Sequence, residues 1–108
     1  MANTFKLKTK ASVGVTTEDV YVVPSATTTT VIGITLANVS GSSINVGIGV
    51  TRVSSDNVNL LTSVPIPRGL SLEVMPGNKL LLEATDSLTA VSDVASSLDL
   101  SVSILELT

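Results

Sequence analysis

The chain has 108 residues, a formal net charge of −3 and charged side chains at only 14% of positions, against about 25% in an average soluble domain. It contains no Cys, no His and no Trp, which excludes disulfides, thiolate metal sites and imidazole as ligand or general base. The length bounds it to one domain with one core, and six thinly spread Lys and Arg argue against binding nucleic acid by phosphate neutralisation.

The first run, Phe5 to Val13, alternates Phe5, Leu7, Thr9, Ala11 and Val13 with Lys6, Lys8, Lys10 and Ser12. Successive strand side chains face opposite sides, so the pattern predicts a strand with the apolar set buried and a lysine stripe outside. That stripe reads as a solvated face or as charges guarding a sheet edge. No apolar stretch follows these lysines, so no signal peptide is expected here. A second run, Val20 to Val23, stops at Pro24-Ser25-Ala26, and Thr27 to Thr30 reads as the start of the next strand because of its β-branched content. Val31 to Ala37 continues it. Asn38 to Ser43 breaks the chain before Ile44, Val46, Ile48 and Val50, which alternate with Asn45, Gly47, Gly49 and Thr51.

Gly47-Ile48-Gly49 is the sole Gly-x-Gly. It lies inside a strand pattern with no helix after it, so it is no nucleotide loop. It points to close approach of another backbone or side chain, from a neighbouring strand or subunit, over that face.

Ser54 to Asn57 precedes a strand at Val58 to Val64. Pro65, Pro67 and Gly69 form a corner before Leu70 to Val74, and Pro76-Gly77-Asn78 forms a turn before Lys79 to Glu83. Val91, Val94, Ala95 and Leu98 sit at helical spacing, but a strand at Leu88 to Val91 followed by a loop through Ser92 to Ser97 is the preferred reading. The last strand alternates Leu98, Leu100, Val102 and Ile104 with Asp99, Ser101 and Ser103. Eight or nine short strands separated by turns predict an all-β domain over residues 1–108: a single β-sandwich, or a jelly-roll-like fold of about eight antiparallel strands.

Chemistry is sparse. Glu73, Glu83 and Asp86 are close in sequence, but two aromatics in the whole chain, Phe5 and Tyr21, are few for a carbohydrate site, and solvated acids are the plainer reading. Oxygen-rich Ser54-Ser55-Asp56-Asn57 and Glu83-Ala84-Thr85-Asp86 match no calcium loop and read as turn chemistry. No Ser-x-x-Lys occurs. We therefore expect no enzyme activity, no cofactor and no metal. The longest apolar runs, such as Leu80 to Leu82, fall far short of the roughly 20 residues of a membrane span, so no membrane contact is expected.

Mean hydropathy is +0.53. Ser and Thr, 29 of 108 residues, cover part of the surface without charge. The remaining apolar surface points to subunit contacts and a homo-oligomer. The candidate interface comprises the strands bearing Ile32, Ile34 and Leu36 and bearing Ile44, Val46, Ile48 and Val50, with the corner Pro65, Pro67, Arg68 and Leu70. Arg52 joins them, because an Arg fork can hold a carboxylate across a contact. Arg68→Glu is expected to weaken assembly more than Lys79→Glu.

Several segments together resemble small virion structural proteins of tailed bacteriophages, especially those infecting marine bacteria and cyanobacteria. They are Met1 to Gly14, Thr17 to Gly33, Leu36 to Ser40, Val64 to Gly69, Gly77 to Asp86 and Val102 to Thr108. The resemblance covers nearly the whole chain and rests on strand-and-turn pattern. It implies a β-sandwich subunit present in many copies at the neck, tail or capsid surface, assembled in the host cytoplasm beside portal, tail or major capsid proteins. It brings no active-site residues. The alternative is a glycan- or ligand-binding sandwich used in host attachment.

Overall fold

A computed structural model describes residues 3–53, 56–74 and 80–108. Its strands are β1 (Asn3–Val13), β2 (Glu18–Val22), β3 (Thr28–Asn38), β4 (Ile44–Thr51), β5 (Val58–Ile66), β6 (Ser71–Val74), β7 (Leu80–Leu82), β8 (Ser87–Ser92) and β9 (Leu98–Leu107). The expected strand at Leu88 to Val91 and the loop after it are both present, and Thr28 opens β3. The turn at Pro76-Gly77-Asn78, Lys79, and Ser54-Ser55 lie outside the described residues.

The strands form two antiparallel sheets. The first has the order β1-β9-β3-β6, with β7 also on β3. β6 pairs with Ile34 to Ala37 and β7 with Thr29 to Val31, so the two occupy one edge position in succession. The second sheet has the order β2-β8-β4-β5. Two four-position sheets connected in this order make a jelly-roll β-sandwich.

Alternation builds the core. Val31, Ile34 and Leu36 of β3 and Leu98, Leu100, Val102 and Ile104 of β9 face Ile44, Val46, Ile48 and Val50 of β4, each at most 4% exposed. Each such side chain contributes about 1.5–3 kcal/mol by leaving water. At the β3–β4 breaker, the buried Asn38 side chain donates to the carbonyls of Ser42 (2.8 Å) and Ile66 (2.9 Å). Its oxygen accepts from the Ser40 backbone and hydroxyl, so one amide satisfies four partners and pins the turn.

Two β-bulges change the faces read from alternation. In β3 the register shifts between Val31 and Gly33. Val31 and Ile34 then point inward while Ile32 stands outside. In β1 it shifts between Lys10 and Val13, with Ser12 at φ 57°. Lys6, Lys8 and Lys10 pair with Ile104, Val102 and Leu100 and share their inward face. Val13 is buried, whereas Phe5 and Leu7 are exposed on the outer face. The expected face of β1 is thus reversed over Phe5 to Ala11, because one inserted residue moves every side chain beyond it to the other side. Pro65, expected in the corner, lies within β5, where an edge strand tolerates a missing N–H.

Candidate assembly surfaces

The outer face of the first sheet carries an apolar row. Phe5 lies opposite Leu105, Leu105 opposite Thr30, and Thr30 opposite Leu81. Phe5 is 73% exposed, Leu81 61% and Ile32 39%, and Leu7 extends the patch along β1. The acids of this face, Asp99 and Glu73, lie toward the opposite end, opposite Ala37 and Thr35. The Phe5 end of this face is thus mainly apolar and, among the described residues of these strands, uncharged.

The outer face of the second sheet is hollow where the first protrudes. A groove of about 280 Å³ runs over Gly47 and Gly49, walled by Thr89 and Val91 of β8 and by Asn59, Leu61 and Thr62 of β5. Two register shifts curl β5 over β4 here. A Cβ on Gly49 would meet the Val58 carbonyl oxygen at 3.1 Å, and one on Gly47 the Leu61 carbonyl oxygen at 3.3 Å. The glycines therefore answer to close approach by a neighbouring backbone, as their place in the strand implied.

The flank between β1 and β2 is closed by charge. The Tyr21 hydroxyl donates to Glu106 Oε2 at 2.5 Å, so its 2.8 Å contact with Thr29 has Thr29 as donor. Lys6 Nζ reaches Glu106 Oε1 at 2.8 Å, Lys10 reaches Glu18 at 3.4 Å, and Lys8 sits 5.9 Å from the Tyr21 ring centre. The Lys6 bond, then the Tyr21 bond, holds the Glu106 carboxyl below its ordinary value. Burial, reinforced by Glu106, pushes Tyr21 up to about 12. The lysine stripe stays partly solvated along an edge strand, as expected, while Lys6 and Lys10 also pair with acids of the same chain.

The candidate interface residues divide. Ile34, Leu36, Ile44, Val46, Ile48 and Val50 belong to the core and present no side-chain surface to a partner, because each lies on the inward phase of its strand. Ile32, Pro65, Pro67, Arg68 and Leu70 are exposed. Arg52 is committed within the chain. Its Nε donates to Asp86 at 3.2 Å and its Nη2 pairs with Glu83, and these partners raise its pKa. Asp86, expected to be solvated, is 3% exposed, and it also accepts from the Glu83 backbone N–H at 3.0 Å. Its tie to Arg52 and its own turn accounts for the acidic pair without a cation. Glu73 stands apart on β6, paired with Thr35. Among the described residues, no three acidic side chains converge as a metal site.

Sequence reasoning missed Glu106, Phe5 and Leu81. Glu106 continues the inward phase of Leu100, Val102 and Ile104, a legible sign of a buried, partnered carboxylate. Phe5 and Leu81 carry no such sign, because an apolar strand residue reads as core until its register is known.

No protein-family model matches the chain, and no curated protein sequence matches it either. Among solved structures, the chain is similar to a protein described under "Bacillus endospore appendages form a novel family of disulfide-linked pili". The TM-score is 0.58 at 12% identity, covering 99% of this chain and 87% of that one. At that identity the likeness is one of fold.

Proposed function

We propose that this chain is a non-catalytic building block that assembles in many copies through its outer sheet faces. The observation that carries this reading is the exposed row around Phe5, Ile32 and Leu81 in a chain with so little charge. The similar pilus protein supports it as a chain of like fold described among pili. That protein's pili are disulfide-linked, whereas this chain has no Cys, so its copies would be held by apolar contact and strand-edge pairing.

In finer terms we place the subunit in the virion of a tailed bacteriophage, at the neck, tail or capsid surface beside portal, tail or major capsid proteins. The segment resemblance from Met1 to Thr108 supports that placement. The glycan-binding alternative gains nothing from the fold, since Tyr21 is buried and Phe5 is the one exposed ring. Sedimentation of the pure protein across a concentration series tests the assembly reading. Concentration-dependent multimers are expected, and a monomer at every concentration, with no binding to virion components, refutes it.

A further inference from the structure

We propose that two copies of this chain pack face to face through the outer side of the first sheet, related by a two-fold axis that runs across the strands. The inference rests on the assembly reading above and names its first contact.

The face carries its own counterpart. Its Phe5 end projects: Phe5 is 73% exposed, Leu7 64% and Leu81 61%. Its other end recedes. A shallow, open hollow of about 260 Å³ lies there, lined mainly by the small side chains of Thr9, Ala11, Thr35, Ala37 and Ser101, with Asp99 beside them. The register explains the difference. Phe5 lies opposite Leu105, whereas Thr9 lies opposite Ser101 and Ser101 opposite Thr35. Large side chains give way to small ones along the same strands.

Symmetry follows from where each feature sits. An axis across the strands reverses one sheet over the other, so the Phe5 end of each copy meets the hollow end of its partner. Such a contact is isologous: one self-complementary patch supplies both halves. Leu7 and Ile32 lie between the two ends and meet their copies near the axis.

Charge selects the same axis. Among the described strand residues, the charges on this face are Asp99 and Glu73, both at the hollow end. An axis along the strands would lay the two acidic ends together, and like charges across a contact are costly. The axis across the strands sets them at opposite ends. Asp99 Oδ1 already accepts the Ser12 backbone N–H at 2.9 Å, so covering it leaves that oxygen partnered. Glu73 stands exposed on the edge strand β6, within reach of water.

The area suffices. Four strand positions about 4.8 Å apart, and eleven residues rising about 3.4 Å each, give a face of roughly 700 Å². A stable interface of standard size takes about 800 Å² from each partner.

The chain contains no Cys, so one introduced thiol reports the contact. Leu7→Cys, midway along the face, should cross-link into a covalent dimer under mild oxidation. Phe5→Asp removes the projection, and Ala11→Trp, or Thr9→Glu as a second block, fills the hollow. All these positions are exposed, and unchanged thermal unfolding confirms folding. Each block is expected to weaken self-association in sedimentation about tenfold or more, and to abolish the Leu7→Cys cross-link when combined with it. Hollow variants that assemble like the wild type, or Leu7→Cys multimers that stay uncross-linked, overturn the two-fold packing while leaving multi-copy assembly standing. A wild type that is monomeric at every concentration removes both.

Discussion

The two outer faces of this sandwich are opposites built from the same strand chemistry. On the first sheet, large side chains project from three adjacent strands, at Phe5, Leu105 and Ile32, with Leu81 beyond them. On the second, Gly47 and Gly49 remove side chains, and bulges in β5 fold its backbone across the gap. The hollow face is set by folding, because β5 closes over its glycines, whereas Phe5 and Leu81 of the first sheet leave most of their surface outside the chain. Inner faces satisfy one another within the chain, while the two outer faces stay open to their surroundings.

The largest effect that separates inner from outer comes from β3. Leu36→Ala should lower stability by about 2–5 kcal/mol, because it empties a site with no exposure, whereas Ile32→Ala should change it by less than about 1 kcal/mol. Chemical denaturation of the two variants reads this directly. Equal losses would mean that the bulge at Val31 and Gly33 is misplaced. On the hollow face, Gly49→Ala should cost about 1–3 kcal/mol by forcing a Cβ against the Val58 carbonyl and the Thr89 hydroxyl. Gly33→Ala, with open space around its Cβ, should lose only a few tenths or gain.

The charged flank predicts a pH profile. The folded chain holds Glu106 below its ordinary 4.5, so its contribution is present above that pH and is lost as pH falls through the lower folded value. Tyr21 is held above its ordinary 10.0, so its contribution is present below pH 10 and is lost as pH rises toward about 12. Thermal unfolding of Tyr21→Phe should lack the alkaline loss, and that of Glu106→Gln should lack its share of the acid loss. Unaltered profiles in both variants would show that these groups do not meet in the folded chain. Smallest of all, Lys10→Gln should cost less than about 0.5 kcal/mol, since its pair with Glu18 is more than a third exposed at both ends.

Much of the fold was legible in the sequence, and the reasons are local. Alternation in β4 and β9 marked the core directly, and Asn38, Pro67 and Gly69 broke the strands where their backbone chemistry requires it. The surfaces were less legible. Phe5 and Val13 share one parity in the sequence yet point to opposite faces, because the bulge at Ser12 arises from pairing with β9 and leaves no local mark. Ile32 and Ile34 are divided in the same way. Arg52 and Asp86 are 34 residues apart, so their pairing is a product of topology, and Arg52 looked available to a partner until the fold closed.

The central claim is that the row around Phe5, Ile32 and Leu81 exists for contact between copies. Sedimentation of the wild type beside an Ile32→Asp/Leu81→Asp double variant, at matched concentrations, tests it most directly. The account predicts concentration-dependent multimers for the wild type and a monomer with near-unchanged unfolding temperature for the variant. Multimers of equal size from both proteins would contradict it.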